Sequence, residues 1–371
     1  MGELALALLG AAVVALTWAS VITTVVVPRR SRARVSRAVD ALVNGVYRTV
    51  TRGLGDYASR DRWLASQASA TILAQLVAWL VLFYVGFALM LLPFDHRAVG
   101  HAFAQAGSSM FTLGYAGPNS APLTAIDYVA AATGMIVVAL QVGYLPTLYA
   151  AFNRRETEVT LLVSRAGSPP WGPEILARTR FGIPEGGTGV DMAGFYEGWE
   201  RWSADVAESH TNYPILTRFR SPHELSSWLV ALLAVLDSAA LWLALAPGTA
   251  PTIQCRLCLR MGFTAPRSIA ASVGLEVDED PDPDSPLQLS YDEFQNGVAR
   301  ISSTTFATER APEVAWPDFR GWRVNYESVA YALADRLDAV PGPWTGPRST
   351  GDKAVEPKRP QNRLPTPYSD R

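Results

Sequence analysis

Phe111-Thr112-Leu113-Gly114-Tyr115-Ala116-Gly117-Pro118, FTLGYAGP, sits between two long apolar runs, and its reading decides the fold. Upstream, Leu64 to Pro93 carries no charge; downstream, Tyr128 to Asn153 carries none either. About 20 residues of helix cross a hydrocarbon core, so each run is long enough to span once. The intervening segment, 94–127, is not. It opens polar with Asp95, His96 and Arg97, turns mildly apolar from Ala102 to Phe111, and ends in Gly114, Gly117, Pro118, Asn119 and Pro122. A stretch of that kind enters the membrane and returns on the same side, with its non-helical backbone hidden in protein or water.

The first uncharged run in chain order, Leu4 to Val27, predicts an N-terminal span, which makes Leu64–Pro93 the second run and Tyr128–Asn153 the third. Its start, Met-Gly-Glu, lacks the basic region of a signal peptide, and Arg29, Arg30, Arg32, Arg34 and Arg37 follow it as a stop-transfer cluster. With Arg60 and Arg62 before the second run and Arg154-Arg155 after the third, the positive-inside rule puts all three clusters in the cytoplasm. The expectation is a multi-pass protein of the cell membrane with its N-terminus outside and its C-terminal part cytoplasmic. Between the first two runs, Val35, Val39, Leu42, Val43, Val46, Val50 and Leu54 recur at helical spacing. They predict an amphipathic helix either at the membrane interface, its arginines near anionic lipids around Arg29–Arg37, or packed on the C-terminal domain.

Thr112-Leu113-Gly114-Tyr115 resembles the first four residues of a potassium-channel filter, and the order around it resembles the pore-loop, two-helix channels: outer helix, pore helix, filter, inner helix. The resemblance covers residues 64–153. It implies a homotetramer that passes monovalent cations, K⁺ by preference, with the carbonyls of Thr112, Leu113, Gly114, Tyr115 and Ala116 as ion ligands. It also implies a pore helix ending at Ser108 and Ser109 and an inner helix that bends at Gly134 or Pro146; the polar Thr133 and Gln141 on that helix face either a water-filled cavity or a packed neighbouring helix. Ala116 stands where the family has a second filter glycine, and Gly117 where it commonly has Asp. A left-handed Ala116 would strain the loop by about 1 kcal/mol per subunit.

The whole is 371 residues, 49% hydrophobic and 18% charged, with a net charge of −2, a balance that excludes a dedicated nucleic-acid binder. The expected organisation is an all-α membrane protein: a span at 1–28, a basic amphipathic helix at 29–62, the channel domain at 63–155, a helical cytosolic domain at 156–340 and a disordered tail at 341–371. Helices are predicted over Val190–His210, Tyr291–Arg310 and Trp322–Val340. Leu225 to Ala246 is apolar but for Asp237, and reads as a buried core helix or a fourth span.

Nothing in the chain predicts an enzyme or a cofactor site. Cys255 and Cys258 form a lone CxxC with too few ligands for zinc, Gly186-Gly187-Thr188-Gly189 lacks a phosphate-loop lysine, and the aspartates from Asp278 to Asp284 lack the final Glu of a calcium loop. A non-conducting membrane sensor or scaffold remains the competing reading.

Overall fold

The computed structural model describes residues 2–27, 34–94, 99–117, 121–179 and 191–358. Arg29, Arg30 and Arg32, the Gly186–Gly189 cluster and the last residues of the tail, 359–371, lie outside them. The described residues form helices and no strand; a single bridge pairs Ser168 with Lys358. Four helices are long and apolar enough to cross a membrane: Gly2–Val26, Tyr57–Leu91, Leu123–Ala166 and Trp228–Leu245. The chain divides into two units, 1–53 with 66–150, and 54–65 with 151–371.

The first unit holds α1 (Gly2–Val21), α2 (Arg34–Thr51), α4 (Gln67–Leu91), α5 (Val99–Met110) and the first part of α6 (Ala121–Ala166). α1 and α4 approach closely because both carry glycine where they meet: a Cβ on Gly10 would come within 2.5 Å of the Gly86 carbonyl oxygen. Small residues at such a crossing let van der Waals contact take the place of a hydrophobic drive that lipid does not supply. The Trp79 indole donates to Ser20 Oγ at 3.0 Å, and Trp18 meets Phe83 edge to face. α5 lies against α4, with Gly107 fitting beneath the Tyr84 ring and Phe103 against its edge. α6 runs through Pro146 and continues past Asn153, where the uncharged run ends.

The second unit is built on α9 (Trp228–Leu245), surrounded by α7 (Gly172–Ala177), α8 (Met192–Asn212), α10 (Thr252–Ser272), α12 (Pro312–Arg323) and α13 (Glu327–Arg336), with α11 (Tyr291–Ser302) packed on α7 and α12. In α9, 89% of the residues are buried, against 22% to 33% in the most apolar stretches of the other three candidate spans. The domain itself covers the apolar surface of α9, which leaves little for lipid to solvate. Asp237 in its middle is paired with Arg323, accepts from Tyr326 Oη at 2.8 Å, and so is satisfied inside protein. Arg323 also donates to Glu327 at 2.8 Å and to the Trp344 carbonyl at 2.8 Å.

Four segments differ from those expected. Residues 29–62 are not one helix: α2 ends at Thr51, and a separate α3 (Tyr57–Ala65) belongs to the second unit. There Arg60 Nε donates to Asp338 at 3.0 Å, Arg60 also pairs with Asp352, and Asp61 pairs with Arg220. The tail expected to be disordered from 341 is packed as far as 358, because Trp344 enters the aromatic core beside Trp171 and Phe319. Arg348 fastens it further by donating to the carbonyls of Ala339, Val340 and Thr345. The helix expected over Tyr291–Arg310 stops at Ser302, and Trp322–Val340 is divided between the end of α12 and α13.

Candidate functional site

The FTLGYAGP loop leaves α5 through a left-handed turn. The Leu113 N–H donates to the Ser108 carbonyl at 2.8 Å and the Thr112 N–H to the Ser109 carbonyl at 3.1 Å. This is a Schellman closure, which needs a left-handed residue one position past the C-cap, here Phe111. Thr112 fills it, with φ +56°. Glycine is the usual occupant, and a β-branched residue in this region is an outlier that its surroundings must hold in place. Gly114 follows with φ +72°, while neither Leu113 nor Tyr115 has positive φ. Left-handed and ordinary residues therefore alternate from Thr112 to Tyr115, the pattern that turns successive carbonyls to one side of a chain.

Ala116 does not have positive φ. The strain expected there is absent, and a glycine at 116 would relieve nothing; the strained residue is Thr112. The reason lies in Ser108. Its hydroxyl accepts from the Ala116 N–H at 3.0 Å while its carbonyl accepts from Leu113 and, at 3.4 Å, from Gly114. One buried residue at the end of α5 thus ties down both halves of the loop, and the chain needs no second left-handed turn to close it.

Ser108 is buried and faces the loop; Ser109 is half-buried. Within one chain, Phe111 is 50% exposed, Leu113 64% and Tyr115 67%. Behind α5, Gln105 donates to Asp127 of α6 at 2.9 Å, both side chains being buried. At Gly134 α6 comes close to the end of α5: a Cβ there would stand 2.2 Å from the Met110 carbonyl oxygen. Thr133 and Gln141, the candidate cavity residues, are covered by protein within the single chain. Pro146 lies inside α6. Sequence reasoning missed Gln105 and Asp127; two polar residues facing each other across otherwise apolar helices were the available signal.

The remaining sequence candidates form no site. Cys255 and Cys258 are free and buried in α10, and burial pushes the Cys255 thiol up to about 12 and Cys258 well above its ordinary range. Thiols so held are poor nucleophiles and poor metal ligands. Among the described residues no group of three or more His, Cys, Asp and Glu side chains could hold a metal. Asp278, Asp280, Asp282 and Asp284 are exposed or nearly so, and Asp278 and Asp282 each accept from the backbone two residues on, as turn-forming aspartates do.

No known family, no curated protein and no solved structure matches the chain.

Proposed function

We propose that the chain is one subunit of a homotetrameric channel for monovalent cations, with the backbone carbonyls of Thr112 to Ala116 as the ion ligands. The observation that carries this reading is Thr112. A threonine held left-handed at a helix end costs on the order of 1 kcal/mol, a cost a glycine would avoid. Such strain is characteristic of sites where a particular side chain must stand at a particular place. In a filter the threonine hydroxyl adds an oxygen ligand next to its own carbonyl, and no glycine offers that. The alternation at Thr112 and Gly114 supports the same reading, as do the exposed Leu113 and Tyr115, which four chains around one axis would cover.

Ion flux into vesicles tests it. Wild-type protein should carry K⁺ along an imposed gradient as a particle of four chains. Gly114→Ala should lower that flux at least tenfold, since alanine at φ +72° is strained and re-aims the preceding carbonyl. Thr112→Gly should conduct with weakened preference for K⁺ over Na⁺. A monomeric particle, or one whose flux ignores both substitutions, refutes the channel and leaves the sensor reading.

A further inference from the structure

We infer that α2 docks its valine–leucine stripe into an anionic bilayer surface, so that the protein has a lipid-facing helix besides its spans. The inference does not depend on the channel reading.

Three stripes run along α2. Val35, Val39, Leu42, Val46 and Val50 form the apolar one, spaced 4, 3, 4 and 4 residues apart. Ser36, Asn44, Tyr47 and Thr51 form a second, about a quarter-turn away or more. Arg34, Arg37 and Arg48, continued by Arg52 just past the helix end, lie on the third and are all exposed.

A helix in water buries its apolar stripe against the protein and shows its polar residues to solvent. α2 does the reverse. Its polar stripe faces inward: the Ser36 hydroxyl bonds Thr24 at 2.8 Å, Asn44 accepts from Gln67 at 3.2 Å, Tyr47 bonds Ser66 at 2.8 Å, and Ser36 and Thr51 are buried. From Leu42 onward the apolar stripe faces outward, with Leu42 68%, Val46 54% and Val50 42% exposed, while Val35 and Val39 at its start are half-buried, Val35 against the core of the unit. That orientation is favourable only if the medium outside is apolar.

The contacts also say which medium. Ser36 is tied to the chain just past α1, and Asn44 and Tyr47 to the first residues of α4. If α1 and α4 both span, the end of one and the start of the other lie on the same side of the membrane, because no further span separates them. α2 is therefore tethered where two spans leave the bilayer. Its arginines suit phosphate groups at that boundary, while Asp40 is the sole acidic residue of the helix.

The test uses the full chain in phosphatidylcholine vesicles with and without phosphatidylglycerol. Single cysteines are introduced as Leu42→Cys, Val46→Cys and, as controls, Arg37→Cys and Arg48→Cys; the native thiols are buried and stay unlabelled. Each carries a fluorophore challenged by brominated acyl chains and by aqueous iodide. At positions 42 and 46 the brominated lipid should quench several-fold more than at 37 and 48, with iodide showing the opposite order. Iodide reaching 42 as readily as 37 overturns the inference. So does a label at 42 that neither quencher reaches, because protein then covers the stripe. Phosphatidylglycerol should strengthen the lipid contact roughly fivefold for each arginine, so changing Arg34, Arg37, Arg48 and Arg52 to Gln should abolish the difference between the two vesicles. Equal contact in both vesicles before that change overturns the anionic preference.

Discussion

Replacing Arg60 with alanine should release α3 from the second unit without unfolding that unit. The Arg60 side chain is 3% exposed and stands between Asp338 and Asp352, themselves 18% and 13% exposed. Removing a buried partner usually costs about 3–5 kcal/mol, because a charge is left without compensation. Here both carboxylates keep some contact with solvent, so about 2–3 kcal/mol is expected. The loss falls on α3, whose other anchors are Asp61 with Arg220 and the buried Tyr57; Arg220 itself donates to the Leu337 and Asp338 carbonyls at 2.6 and 2.8 Å and so stays in place. Hydrogen exchange followed by mass spectrometry on the full chain reads the result. The amides of Tyr57–Ala65 should exchange roughly thirty- to a hundred-and-fiftyfold faster, and those of α9 at their original rate. Adding Asp338→Asn and Asp352→Asn should recover part of the protection, since the two carboxylates no longer face each other uncompensated. Unchanged protection in α3, or equal loss in α3 and α9, would refute the assignment of α3 to this unit through Arg60.

Acidification should weaken the second unit through His210. Burial, then the neighbouring Arg155, hold its pKa well below 6.5; its Nε2 lies 2.9 Å from Arg155 Nη1 and its Nδ1 3.0 Å from Ser209 Oγ. The unfolded chain takes up the proton first, so stability is full above about pH 6.5 and falls by up to about 1.4 kcal/mol per pH unit below it; thermal unfolding of wild type and His210→Gln between pH 7 and 5 measures the difference. Arg323→Leu leaves Asp237 and Glu327 without their common partner and should cost about 3–5 kcal/mol, lowering the melting temperature by about 10 °C. Gly134→Ala drives a methyl into the Met110 carbonyl and should cost about 1–3 kcal/mol, with conduction lost from particles that remain monodisperse on gel filtration.

The helices that stand out in the sequence are those whose character is local. Uncharged runs of 24 or more residues need only a count to be read as α1, α4 and α6. The loop was legible because Gly114 and its neighbours are unusual residues between such runs. The strain at Thr112 was not, since it follows from how Ser108 closes the helix, and no composition reveals which of Thr112 and Ala116 takes the left-handed turn. Arg60 and Arg155 read as topological signals along the chain, yet fold into buried hubs, Arg155 donating to the Leu216 and Phe219 carbonyls at 2.8 and 2.6 Å. The packed tail was hidden by its Pro and Gly content: Trp344 and Arg348 gain order only from partners elsewhere in the chain, such as Trp171.

The second unit draws one helix from far upstream, and this bears on how the protein is made. Arg60 and Asp338 are 278 residues apart, so α3 leaves the ribosome long before the residues that hold it. During synthesis Tyr57, Arg60 and Asp61 wait while α4, α5 and α6 are produced, and the second unit closes only when residues 338 and 352 arrive. A fragment beginning at Ala151 would lack Tyr57 from its core and leave Asp338, Asp352 and Arg220 without counterparts. Supplying residues 54–65 as a separate peptide should restore what such a fragment lacks.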